Sequence, residues 1–91
     1  MISNDNILRA YKQRAIKMLN DYQGIAAREL QLVSDFQGNF APNAKPDDIR
    51  QAFEAVKSDG NAAKTLDDNR GWVWQITPAG HRVAAQLNLE D

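Results

Sequence analysis

The side chains able to carry catalysis are few and scattered. With no cysteine and one histidine in 91 residues, a disulfide framework, a thiolate metal site and a Cys–His nucleophile pair are all excluded. His81 stands alone, and Ser3, Ser34 and Ser58 have neither an elbow motif nor a recognisable partner, so the chain does not read as an enzyme. Two carboxylate pairs, Asp47-Asp48 and Asp67-Asp68, have the chemistry to attract a hard cation. Each has a plainer structural task, however: the first opens a helix, where acids meet the positive dipole end, and the second forms a turn. No metal site and no cofactor are therefore expected, and the five glycines fall at turns and a helix joint rather than in a phosphate loop. What remains is binding chemistry, carried by Arg50, Gln51, Glu54 and Lys57 on one helix face and by Trp72 near a turn.

Bulk properties bound the kind of binding. The length suits one hydrophobic core, and 43% hydrophobic with 25% charged residues is an ordinary globular composition. A single domain spanning 1–91, with its core over about 5–88, is expected. No apolar run approaches the ~20 residues that cross a bilayer, so no membrane partner is expected. Met1 to Asn6 is mostly polar and does not resemble a secretory leader, which makes cytoplasmic residence the expectation. Eleven Lys and Arg against twelve Asp and Glu give a net charge of -1. Nucleic-acid binders are usually basic, so any such role must rest on local patches. The charge is uneven: up to Leu32 there are five basic residues (Arg9, Lys12, Arg14, Lys17, Arg28) against three acidic (Asp5, Asp21, Glu29).

The elements that must position these groups follow from periodicity. Leu8, Tyr11, Ala15, Met18, Leu19 and Tyr22 recur at spacings of three and four, predicting an amphipathic helix over 4–22, capped by Asn4 or Asp5 and stopped at Gln23-Gly24. A second helix is predicted from near Ile25, reached through a tight turn, with Ala26, Leu30, Val33 and Phe36 facing inward and Gln37-Gly38 ending it. Gln37 to Lys45 has turn composition, and Phe40 within it is expected to pack back on the core. Pro46-Asp47-Asp48 starts a third helix running to about Ser58. Ile49, Ala52, Phe53 and Val56 form its inner face, and Arg50 stands four residues from Glu54 as a helix pair. Ala62 to Leu66 and Trp72 to Ile76, flanking Asp67-Asp68-Asn69-Arg70-Gly71, predict a β-hairpin whose Trp72, Trp74 and Ile76 share the face that covers the helices. Thr77-Pro78 caps a last helix with Val83, Ala84 and Leu87 inward, and Asn88 to Asp91 is expected to fray.

Helix, helix, loop, helix, hairpin, helix is an order that resembles the winged-helix superfamily. The most specific likeness is Trp72-Val73-Trp74-Gln75-Ile76-Thr77-Pro78-Ala79-Gly80-His81, which looks like the strand-to-helix joint of MarR-like and PadR-like regulators. There an apolar strand ends in Leu or Ile and is followed by Thr, a Pro or charged residue, one more residue and Gly. Thr caps, Pro fits the first helical position, and Gly lets the helix pass close to the hairpin. The resemblance implies an α+β fold, a small winged helix of three helices, a two-stranded hairpin wing and a C-terminal helix. In its compact plan the chain is also similar to small phage- and plasmid-encoded winged-helix proteins of unassigned role.

That resemblance implies a DNA-binding role in transcriptional or mobile-element regulation. The third helix would enter a major groove and the wing would reach the backbone or minor groove of double-stranded DNA. Arg50 and Gln51 would then read bases, Lys45, Lys64 and Arg70 would meet phosphates, and Asn69 would lie at the wing tip. Arg50, Gln51, Glu54 and Lys57 equally fit a solvated helix face, and Asp47 and Asp48 at the start of the groove-facing helix would repel phosphates. The alternative is a protein-interaction module, with Trp72 as the anchor. A homodimer paired through the heptad-like run Leu8, Tyr11, Ala15, Met18 and Tyr22 is a related expectation.

Overall fold

The computed structural model describes residues 1–87; the expected fraying of Asn88 to Asp91 lies outside the described residues. The first helix, α1, spans Asp5–Asp21. The Asn4 side chain accepts from the N–H of Asn6 at 2.9 Å and of Ile7 at 3.2 Å, satisfying two donors that the helix itself leaves unpaired. At its other end Gln23 and Gly24 both take positive φ, 53° and 83°, and turn the chain away.

The next segment departs from the periodicity reading. A helix does not begin at Ile25. Residues Ala27–Arg28 are extended and form strand β1, and helix α2 runs Glu29–Asn39. The shift in phase leaves Leu30 73% exposed and buries Leu32 instead. A long-range partner decides this: Ala27 pairs with Trp74 and Arg28 with Val73 in antiparallel register. Hydrogen bonds to a strand 45 or more residues away are invisible to a local period, and they fix the extended backbone. The expected tight turn between the first two helices is accordingly a longer connection that contains a strand.

Phe40 closes α2 as an aromatic plug, 5.8 Å from the Tyr11 ring and 5.2 Å from that of Phe36, with the Arg14 guanidinium 4.8 Å from its centroid. Helix α3, Pro46–Ser58, buries Ile49, Ala52, Phe53 and Val56 as its spacing requires. Strands β2 (Ala62–Asp67) and β3 (Gly71–Ile76) form the hairpin. With β1 added, the sheet has three strands in the order β1-β3-β2, rather than the two expected. Helix α4, Pro78–Leu87, completes the described chain. The Thr77 hydroxyl accepts from the Gly80 N–H at 3.1 Å and donates to the Gly60 carbonyl at 2.7 Å, so one residue both caps α4 and ties it to the end of α3. His81 Nδ1 lies 2.6 Å from Asn20 Oδ1, joining α4 to α1.

Trp74, Phe36, Leu19, Leu32, Ile49 and Val56 are the largest fully buried side chains and unite every layer in one core. Such a side chain contributes roughly 1.5–3 kcal/mol when fully buried. Tyr11, Met18 and Tyr22 pack against that core and Ala15 lies within it. From Tyr11 to Tyr22 the heptad-like stripe of α1 thus packs on the chain's own core.

Candidate nucleic-acid interface

Helices α2 and α3 form a helix–turn–helix unit, with the β2–β3 hairpin as a wing beside α3. The hairpin turn is built locally. The Asp67 carboxylate accepts from the N–H groups of Asn69 and Arg70 at 2.8 and 2.9 Å, and Gly71 takes a φ of 72° that suits glycine. Asn69 is exposed at this tip. Arg70 folds back, its Nη1 donating to the Ala26 carbonyl at 3.4 Å and its Nε lying 3.9 Å from Asp67.

Where α2, α3 and the wing converge, Glu29 is the hub. It is the first residue of α2, and its Oε1 accepts from the Trp74 indole N–H at 3.1 Å. The same oxygen lies 3.6 Å from Lys64 Nζ, and its Oε2 lies 3.5 Å from Arg50 Nε. Arg50 also reaches Asp47 at 3.3 Å, while Lys64 donates to Glu54 at 2.8 Å. The expected Arg50–Glu54 helix pair is therefore replaced: each residue has a partner elsewhere, and Glu54 faces Lys57 and Lys64. The Lys64 ammonium sits 4.5 Å from the Trp72 ring centroid and 5.3 Å from that of Trp74, a cation–π arrangement set by cross-strand pairing of Lys64 with Trp74.

Of the sequence candidates, the structure brings Arg50 and Lys64 together, but with Glu29 between them. Gln51 is engaged elsewhere: its amide accepts from the Ile2 N–H at 2.8 Å and donates to the Ile2 carbonyl at 3.1 Å. Lys45 is exposed at the start of α3. Asp48 lies 3.0 Å from the Met1 amino group, and Asp47 is almost fully exposed. Trp72, expected among the covering residues, is 46% exposed, whereas Trp74 is wholly buried. Burial does not alternate along β3, since Val73 between the two tryptophans is also buried, and Trp72 lies nearer the tip. It lines a cleft of about 500 Å³ between the start of α2 and the wing, with Arg28, Leu30 and Arg70 on its walls. Arg28 and Glu29 escaped the sequence reading because the start of α2 was misplaced. A glutamate able to serve as the first helical residue was the available signal.

The network has a pH signature. Glu54 titrates below its ordinary value, chiefly through the hydrogen bond from Lys64, opposed by burial and aided by Lys57. Asp67 is lowered by the two backbone N–H groups of the turn. In both cases the unfolded chain binds protons more readily than the folded one, so their stabilisation is complete above the unfolded-state value and is lost as pH falls through the folded-state value. Lys64 is raised, mainly by its bond to Glu54; its share is present below its unfolded-state value and lost on the alkaline side. The melting temperature is expected to hold through neutral pH and fall in the acid carboxylate range. Glu54→Gln should lower the neutral plateau and reduce that fall, and an acid limb of unchanged size would remove Glu54 from this account.

Among the described residues, no helix is long and apolar enough to cross a membrane. No protein-family model and no curated protein matches the chain. Solved structures do. Lactococcus lactis ZitR in its apo form is similar over 90% of this chain at 12% identity and a TM-score of 0.69. A MarR-family transcriptional regulator from Silicibacter pomeroyi is similar over 85% at 26% identity and 0.66, and the transcriptional regulator Cth-833 from Clostridium thermocellum over 94% at 16% identity and 0.67. The chain spans 57% and 47% of the first two, and 84% of the third. These likenesses show that the fold is a winged helix of the MarR-like kind.

Proposed function

We propose that this winged helix is a DNA-binding regulator of transcription or of a mobile element. Helix α3 is directed at the major groove and the wing at the adjacent backbone. The observation that carries the reading is the placement of α3 next to a wing, with Lys45 and Arg50 on one element and Lys64 and Arg70 on the other. That the structures of similar fold include transcriptional regulators supports it. Arg28, beside the cleft, adds a guanidinium on the same side as Arg70. Arg50 carries the base-reading role and Arg70 and Lys45 the phosphate role; Gln51 takes part only after releasing Ile2.

Titration of labelled random-sequence duplex at low salt tests the reading. Binding is expected to weaken with salt through counterion release, and Arg70→Ala should weaken it evenly across sequences while reducing the salt slope by about one. Arg50→Ala should cost roughly 1–3 kcal/mol at the preferred base and relax sequence preference there. No binding to random or genomic duplexes at low salt would end the DNA reading.

A protein-interaction role is favoured by one observation, the apolar exposure around the cleft. Leu30 is 73%, Leu66 61% and Trp72 46% exposed, and Leu66 pairs directly with Trp72 across the hairpin. Under that reading Trp72 is the anchor, and Trp72→Ala abolishes partner binding while the wing cations tolerate substitution.

A further inference from the structure

The two cations that stand between α3 and the wing, Arg50 and Lys64, already have a negative partner, and that partner is well fixed. A glutamate at the start of a surface helix ordinarily swings freely in water. Glu29 does not, because its Oε1 is held by the indole N–H of Trp74 at 3.1 Å. Trp74 is itself immobile: fully buried, 5.6 Å from the Phe53 ring and paired across the sheet with Lys64. The Glu29 side chain is only 17% exposed and stands in the first turn of α2. So positioned, its two oxygens address two different elements: Arg50 of α3 at 3.5 Å and Lys64 of β2 at 3.6 Å. Glu54 holds Lys64 from the other side at 2.8 Å.

From this geometry we infer that Glu29, assisted by Glu54, is a built-in competitor for the DNA backbone. It occupies Arg50 and Lys64 in the free protein and so sets the affinity for duplex DNA. The inference rests on the DNA reading above. A phosphate approaching Arg50 or Lys64 meets a carboxylate that cannot move aside without giving up the Trp74 hydrogen bond. Binding therefore exchanges one anion for another instead of neutralising free cations. Arg28, the residue before Glu29, is exposed with only the more distant charge of Asp67 acting on it among the described residues, and with the exposed Lys45 it offers the first contact. Through Lys64, Glu29 and Glu54 also link β2 to α2 and α3.

Glu29→Gln separates charge from structure, since the amide oxygen can still accept from Trp74 while the negative charge is gone. Affinity for random duplex at low salt is expected to rise roughly tenfold, and the slope of log K against log salt to steepen by about one. Asp68→Asn, at the exposed wing tip outside the network, controls for overall charge and should give a smaller gain. In an Arg50→Ala background the gain from Glu29→Gln should shrink, and with Arg50→Ala and Lys64→Ala combined it should vanish, since both released cations are then absent. Should Glu29→Gln fail to fold, Glu54→Gln carries the test, its gain expected to vanish in a Lys64→Ala background. Wild-type protein that binds DNA while Glu29→Gln gains no more than Asp68→Asn overturns the inference and leaves the DNA reading standing. Absence of binding by both wild type and Glu29→Gln overturns both. Binding by Glu29→Gln where wild type is silent supports both.

Discussion

Gly80→Ala is expected to destabilise the protein by about 3 kcal/mol, the upper part of the range for an overpacked core, because the position has no room for one more carbon. A Cβ there would stand 2.0 Å from the Asn61 carbonyl oxygen, 2.9 Å from its carbon and 2.8 Å from Ile76 Cγ1. The obstacle is backbone, and it is held: the Asn61 carbonyl accepts from the Thr77 N–H at 3.2 Å, and the Asn61 N–H donates to Val56 at 3.1 Å. Relief requires α4 to lift off, withdrawing Val83, Ala84 and Leu87 from the core. For a domain of this size the cost corresponds to a fall in melting temperature of roughly 15 °C. Gly38→Ala is the matching control, with nothing within 4 Å of the added atom and a site inside α2. It should be neutral or stabilising by up to about 1 kcal/mol. Equal melting temperatures for wild type and Gly80→Ala would show that the joint between wing and α4 is looser than these distances require.

Trp74→Ala is expected to cost about 3–5 kcal/mol, the usual loss for a buried tryptophan cut to alanine, while Trp72→Ala should stay within about 1 kcal/mol, near the value of one exposed cation–π contact. The two tryptophans lie two residues apart on one face of β3, yet one is 0% and the other 46% exposed. Removing Trp74 opens a hole beside Phe53 and also deprives Glu29 of its neutral donor. Removing Trp72 chiefly uncovers Lys64, which keeps Glu54 and Glu29. Urea denaturation followed by far-UV circular dichroism compares them directly. Similar losses from both would place Trp72 in the core. A marginal loss from Trp74→Ala would mean the wing contributes little to folding.

Local patterns located most of the scaffold. The burial of Ile49, Ala52, Phe53 and Val56 was legible because a helix of fixed pitch brings positions three and four apart to one side. Phe40 was legible as a plug, and Gly80 as a close approach, because each residue type in its setting admits few other uses. Errors arose where a distant partner outweighed a local signal. Ala26 and Leu30 continue a helical period with Val33, but pairing of Ala27 and Arg28 with β3 pulled the segment straight and moved the start of α2 to Glu29. The candidate site inherited that error. Arg50 and Lys64 were visible as cations, whereas the carboxylate between them was not, because it lies 21 residues before one and 35 before the other.

By itself, then, the amino-acid order determined α1, α3, the hairpin, the inward face of α3 and the capped joint at Thr77-Pro78, since each depends on backbone geometry over a few neighbours. Tertiary structure alone decided the third strand, the exposure of Trp72 and the ionic partners of Arg50, Lys64 and Glu29. Coulomb interactions fall off with distance in space and take no account of distance along the chain. Which charges neutralise one another, and hence which are left for a partner, is fixed only when the elements come together.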